Sequence, residues 1–246
     1  MIEATRQAIR EHAAHQFPKE CCGVVIIVNG KERYYACENV AATPAEHFVM
    51  SPQDYARAED LGEVVGIVHS HPNVAPEPSE ADRVMCEVTG LEWHIVHVRI
   101  HDGEEAPRGA EIVSFAPSGY EAPLVGRMFS HGVLDCYSLV RDYYKREMNI
   151  ELPDFERRDG WWNTAGNNLY LDNFEACGFV PATGAIKVGD IILMQIRALV
   201  PNHAGVYIGN GQILHHVMGR MSSRDLYDGY WQENTRLVIR YAGESK

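Results

Sequence analysis

Two histidines one residue apart, His69 and His71, close the apolar run Val64-Val65-Gly66-Ile67-Val68, and Asp82 follows after a proline-rich stretch. The run is short and rich in β-branched residues, which predicts a buried strand. In an extended chain the side chains at i and i+2 point the same way. His69 and His71 then converge while Ser70 turns aside. Pro72 ends the strand pairing, and residues 73–78, with Pro76 and Pro78, read as a loop. Ser79 caps a helix that opens at Glu80 and puts Asp82 in its first turn. Two imidazoles and one carboxylate make a three-ligand set for Zn²⁺. The fourth position stays open for water, as a hydrolytic zinc site requires.

A second set of reactive residues lies further along. Asp135-Cys136 leads into an amphipathic helix over 137–147 with apolar Leu139, Val140, Tyr143 and Tyr144. Cys136 then sits at a helix N-terminus, where the dipole and free N–H groups favour thiolate over thiol. His203 opens a later strand and His215 falls in the next, across a turn at Gly209-Asn210-Gly211, so the two can be neighbours. A thiolate, an imidazole and a third group to orient the imidazole are the parts of a cysteine peptidase. His216 follows His215 directly and is the other candidate for the third position. Asp135 reads as the helix cap.

The elements that must position these groups can be read in order. Apolar residues at Ala4, Ala8, Ile9 and Ala13 predict a helix over 2–15, ended by Pro18. Strands over 23–28 and 32–37 flank Asn29-Gly30, a type I′ hairpin signal. Ser51-Pro52 opens a helix to about Leu61. After the His69 strand come a helix over 80–88, closed by Thr89-Gly90, and a strand over 93–100. Residues 1–103 therefore predict a compact α/β domain. Residues 104–119 carry Pro107, Gly109, Pro117 and Gly119 and read as a linker with a possible short strand over 111–115. Residues 120–246 form the second domain. It is expected to have a helix over 167–178, an antiparallel meander over 190–196, 203–208 and 212–217, and a last strand over 235–241. Trp161-Trp162 reads as an aromatic core patch.

Composition narrows the partners. The 246 residues carry a formal net charge of −12, against the basic footprint of a nucleic-acid binder. The first 17 residues lack the apolar segment of a signal peptide, and no apolar run approaches bilayer length. A chain folded in a cytosol, with no membrane insertion, is the expectation. The six cysteines form no Cys-x-x-Cys pair, against a thiolate zinc site or a disulfide scaffold.

The pattern His69-Ser70-His71-Pro72, a six-residue spacer, then Ser79-Glu80-Ala81-Asp82 resembles the JAMM signature of the Mov34/MPN/PAD-1 metallopeptidases. The family also has a glutamate before its first strand, matched here by Glu20 in Pro18-Lys19-Glu20-Cys21-Cys22-Gly23. The resemblance implies one Zn²⁺ on His69, His71 and Asp82. It makes Glu20 the general base toward water and Ser79 the hydrogen-bond donor to the oxyanion.

Asp135-Cys136-Tyr137-Ser138-Leu139-Val140, then His203-Ala204-Gly205-Val206-Tyr207-Ile208-Gly209-Asn210-Gly211, then Ile213-Leu214-His215 resemble the NlpC/P60 family in the right order. That implies a papain-like α+β fold with Cys136 as nucleophile, His203 as base and His215 as orienting residue. The Cys136 N–H would serve the oxyanion. The family usually has Ser-Gly after the cysteine; Tyr137-Ser138 here alters the pocket beside it.

The two halves in this order, with Arg127 and His131-Gly132 before Asp135-Cys136, resemble the two-domain tail-tip assembly proteins of lambda-like phages. This implies peptidoglycan stem peptides as substrate and other tail-tip proteins as partners. It also implies assembly in the host cytoplasm, then a place in the virion tail tip with possible delivery to the periplasm. The alternatives are an assembly factor with one or both sites inactive, and an isopeptidase in which only the metal half works.

Overall fold

The computed structural model describes residues 1–100, 106–158, 160–164 and 166–243. The chain divides into Met1–Glu121 and Ala122–Lys246.

In the first unit, α1 (Glu3–Gln16), β1 (Cys22–Val28), β2 (Lys31–Cys37), α2 (Pro52–Leu61), β3 (Glu63–Pro72), α3 (Glu80–Thr89), β4 (Glu92–Arg99) and β5 (Arg108–Phe115) follow in order. The strands form one five-stranded sheet, β2-β1-β3-β4-β5. β3 and β4 are parallel, with α3 as the crossover, and the other pairs are antiparallel. Both faces are covered, so alternate residues of the central strands enter different cores. Val25, Val68, Val96 and Val98 pack on Ile9 and Ala13 of α1. Val24, Ile26, Ile67 and Trp93 pack on Ala58 of α2 and Cys86 of α3. This alternation decides the site. His69 shares the parity of Ile67, which turns it toward α3, and Ser70 takes the α1 side, where its hydroxyl accepts from Cys21 N–H at 2.8 Å.

The expected linker needs correction. Most of residues 104–119 belongs to the first unit, because β5 pairs with β4 and covers its open edge. Gly109 also lies against α1, where a Cβ would stand 2.7 Å from Arg10 backbone atoms. The expected boundary at Gly103 and the linker's first two residues lie outside the described residues.

The second unit holds α4 (Cys136–Met148), a 3-10 turn Trp161–Asn163, α5 (Leu169–Asn173), β6 (Phe179–Pro181), β7 (Ile191–Met194), β8 (His203–Gly209), β9 (Gln212–His215), β10 (Ser223–Leu226), α6 (Gly229–Asn234) and β11 (Thr235–Tyr241). Its six-stranded sheet runs β10-β9-β8-β7-β11-β6, antiparallel throughout. Leu139, Val140 and Tyr144 of α4 pack on Ile191, Leu193, Ala204, Val206 and Leu214. The opposite face, with Ile192, Met194 and Ile213, is covered by Trp231 of α6.

The helix expected over 167–178 shrinks to α5. Asn173 Nδ2 takes the Leu169 carbonyl at 2.7 Å, competing with the backbone ladder. The chain then turns to deliver Phe179 to the sheet.

Candidate active sites

The first site is built by β3 and the first turn of α3. His69 Nε2 lies 3.2 Å from His71 Nε2 and 3.2 Å from Asp82 Oδ1, and His71 Nε2 lies 3.5 Å from Asp82 Oδ2. Ligands about 2.05 Å from a tetrahedral zinc stand about 3.3 Å apart, so the two imidazole nitrogens stand at the spacing of neighbouring ligands, with an Asp82 oxygen near each. The donor set also fits the ion chemically. His71 Nδ1 lies 3.0 Å from the Ala75 carbonyl, a bond that fixes the tautomer and leaves Nε2 as a lone-pair donor. His69 is buried, stacked on Phe48 with ring centroids 4.7 Å apart and meeting Trp93 edge-on.

Asp82 has two tasks. As N3 of α3 it completes a capping box with Ser79: Asp82 N–H donates to Ser79 Oγ at 3.1 Å, and Ser79 N–H donates to Asp82 Oδ2 at 2.8 Å. Ser79 Oγ also donates to Oδ2 at 2.7 Å, while Oδ1 is turned to His69. Burial opposes the Asp82 charge, but both imidazoles and Ser79 outweigh it and hold the carboxyl well below the usual range. Burial lowers His71, yet Asp82 and the Ala75 carbonyl raise it above the ordinary value. Glu20 precedes β1 and is 9% exposed; burial pushes its carboxyl up, against the pull of His69 and His71. A carboxyl tuned upward beside a three-ligand set has the character of a general base.

At the second site Cys136 is the first residue of α4, capped by Asp135. The Asp135 carboxylate accepts from Ser138 N–H at 2.9 Å, and Asp135 N–H donates to Ser138 Oγ at 2.7 Å. Ser138 in place of the family's usual glycine thus completes a capping box. Tyr137 is buried, its hydroxyl donating to Pro153 O at 2.7 Å and its ring stacked on Phe155. Arg157 fixes the same corner: its Nε donates to Asp135 Oδ2 at 2.7 Å and Nη2 to Gly132 O at 3.1 Å.

The Cys136 sulfur is buried and lies 3.2 Å from the Tyr170 hydroxyl. The Ala204 N–H, next to His203, also favours its thiolate. Even so, burial pushes the thiol up to about 11, with the Asp135 charge adding to it. The expectation that the helix terminus would favour the thiolate is overridden by desolvation.

His203 and His215 meet across the β8–β9 hairpin, Nε2 to Nδ1 at 3.1 Å. His215 Nε2 lies 3.2 Å from Asp225 Oδ2, an ion-pair contact off the line of a hydrogen bond. Trp231 meets His215 edge-on at 4.4 Å. The contacts make a chain: Asp225 on His215 Nε2, and His215 Nδ1 on His203 Nε2. Burial, with His215 and His216 adding, pushes His203 down to about 3. His216 points instead to Phe129, with ring centroids 5.1 Å apart.

Tyr170, Asp225 and Arg157 were not anticipated from sequence. β10, which carries Asp225, is four residues long and polar, and Tyr170 lies 34 residues from the sulfur that it touches. No short-range signal marks either.

Residues 3–112 match the prokaryotic homologs of the JAB domain, and residues 126–240 match the NlpC/P60 family. The chain is a two-domain protein, a JAB domain followed by an NlpC/P60 domain. Tail tip assembly protein K of Escherichia phage N15 is 43% identical over 242 residues, covering 98% of this chain and 96% of that protein. Its namesake in Escherichia phage lambda is 43% identical over 195 residues, covering 78% and 89%. The chain belongs to the tail tip assembly protein K family. A solution structure of a Desulfitobacterium hafniense protein aligns with a TM-score of 0.31 at 22% identity, covering 47% of this chain and 88% of that one.

Proposed function

We propose that this protein is a tail-tip assembly protein and hydrolase of a phage. Its second unit is a cysteine endopeptidase cutting the stem peptides of bacterial peptidoglycan, and its first is a zinc-dependent peptidase or isopeptidase. The observation that carries the reading is the chain Asp225–His215–His203, together with a cysteine set at a helix N-terminus whose sulfur receives the N–H of Ala204, the residue after His203. The names of the two 43% identical relatives support the tail-tip setting. Assembly in the host cytoplasm with other tail proteins, then action from the tail tip, follows from it.

In the cysteine unit, His203 Nδ1 takes the thiol proton of Cys136. The sulfur attacks the carbonyl carbon of the scissile amide, a C–S bond forms, and the carbonyl oxygen becomes an oxyanion within reach of the Cys136 N–H. Collapse breaks the C–N bond, and the leaving amine takes the proton from His203. Water then hydrolyses the thioester, with His203 again as base. His215 accepts from His203 Nε2–H and keeps Nδ1 free for the sulfur's proton.

In the first unit His69, His71 and Asp82 would hold the metal. Zinc, when bound, acidifies water and polarises a carbonyl. Glu20 takes a proton from the attacking water and passes it to the leaving nitrogen. Ser79 orients Asp82 and has its hydroxyl available to an oxyanion if the Asp82 bond is exchanged.

The two units should separate under inhibitors. With purified peptidoglycan, a thiol alkylator is expected to abolish peptide release and a zinc chelator to spare it. Loss of release with chelator alone would contradict this division. Metal analysis should find about one zinc per chain, lost in His71→Ala. A second reading, an assembly factor with a silent cysteine site, is favoured by one observation: the sulfur is buried and held as a thiol.

A further inference from the structure

The Cys136 sulfur has a neighbour that neither the triad nor the backbone supplies. The Tyr170 hydroxyl from α5 stands 3.2 Å from it. Both residues are buried, and among the described residues the sulfur is the hydroxyl's hydrogen-bond partner. The ring is clamped: Trp161 meets it edge-on at 5.3 Å, Tyr137 lies tilted at 6.1 Å, and Phe155 closes a third side at 6.5 Å. A phenol held this firmly loses little freedom when its partner becomes charged, so the bond strengthens with no further ordering.

We propose that Tyr170 is a further catalytic group of the cysteine site, donating its O–H hydrogen bond to the Cys136 sulfur as the thiol loses its proton to His203. The inference rests on the peptidase reading of that site. No proton passes from Tyr170, which remains a phenol while the S–H bond breaks and the His203 N–H bond forms. Burial raises the Tyr170 phenol well above its ordinary value, so it stays a donor across the working range.

The other groups facing the sulfur set the need. Asp135, the cap beside it, opposes a thiolate, while Arg157 partly compensates and the Ala204 N–H of β8 assists. His203 is uncharged until it receives the proton. The hydroxyl is the side-chain hydrogen-bond donor placed on the sulfur itself. Among cysteine peptidases the helix terminus is expected to provide this stabilisation; in this chain burial overrides it and a phenol assists.

The test is the pH dependence of Cys136 alkylation by iodoacetamide, read by mass spectrometry of the Cys136 peptide in the full chain. Tyr170→Phe keeps the ring and removes the donor. Its midpoint is expected to rise by about one to two pH units, a ten- to hundredfold smaller thiolate fraction at fixed pH. An unchanged melting temperature would show that the fold is kept. Difluorotyrosine at position 170, a stronger donor of nearly the same size, should lower the midpoint instead. Equal midpoints in all three proteins, or a Cys136 unreactive in all three, would overturn the proposal and leave Tyr170 a packing residue. Alkylation needs no wall substrate. A shifted midpoint without peptide release by the wild type would sink the wall-peptidase reading and keep this one. Release with equal midpoints would do the reverse.

Discussion

Replacing Arg157 with methionine is expected to lower the stability of the second unit by about 3–5 kcal/mol, since one partner of a buried ion pair is removed and the other stays buried. The side chains of Arg157 and Asp135 are 2% and 4% exposed and meet at 2.7 Å. Methionine fills much of the space over the Tyr137 and Phe155 rings, where the guanidinium now stacks. It supplies no donor for Asp135 or for the carbonyls of Gly132 and Phe155.

The pH dependence gives the sign of the effect. Burial pushes Asp135 up, but the charge and hydrogen bond of Arg157, with the Ser138 N–H, outweigh it and hold the carboxyl below its ordinary value. A carboxyl depressed by folding contributes stability above its unfolded pKa of about 3.9, and that contribution is lost as pH falls through the folded value. In Arg157→Met burial is no longer offset to the same degree. The Asp135 contribution to acid sensitivity should shrink or reverse, and Asp135→Asn on top should recover part of the loss while keeping a side-chain cap. Melts at pH 7 and at a pH well below about 3.9 measure both effects. A Tm within a degree of wild type at pH 7 would contradict the assignment.

His203→Ala is expected to lower kcat/KM on wall peptides by about 10²–10⁴-fold, the range for a lost general base. Asp225→Asn acts through His215 and is expected to cost about tenfold, as outer partners of an imidazole do. His216→Leu should keep most of the activity, because its side chain faces Phe129 rather than His203. The pH profile follows from the resting charges. His203 is pushed down to about 3 and Cys136 up to about 11, so a neutral pair is present between those limits. Activity should therefore show no His203 acid limb near pH 6. Alkylation of Cys136 should climb from pH 7 toward 11. An acid limb near pH 6 that His203→Ala removes would indicate a resting ion pair instead.

What the sequence made legible was short in range. The i, i+2 spacing of His69 and His71 on an apolar strand put both on one face, and Ser79 and Asp82 were placed by helix-capping chemistry alone. Asp135 and Cys136 were placed by the same rule at α4, and Gly209-Asn210-Gly211 set β8 against β9, with His203 two residues from Gly205, the register partner of His215. The hidden parts depend on contacts distant in sequence. β5 was legible only as a possible short strand over 111–115, because Gly109 within it and Pro107 and Pro117 beside it mask the full length that pairing with β4 completes. Tyr170 was expected within a longer helix, and its meeting with Cys136 depends on how the 3-10 turn at Trp161 and α5 fold over α4. The resting charge of the thiol was misjudged for a related reason. The helix terminus is visible locally, whereas the burial that overrides it comes from the whole core.

The central claim, that Cys136 carries a wall-peptidase activity independent of the metal unit, is tested most directly by mass spectrometry of fragments released from purified peptidoglycan. Wild type, Cys136→Ala and Glu20→Gln would be compared at equal concentration. The expected result is stem-peptide cleavage by wild type and Glu20→Gln, and none by Cys136→Ala. Cleavage that survives Cys136→Ala, or that disappears with Glu20→Gln, would contradict the claim. No cleavage by any of the three would turn the account toward an assembly protein with a silent cysteine site.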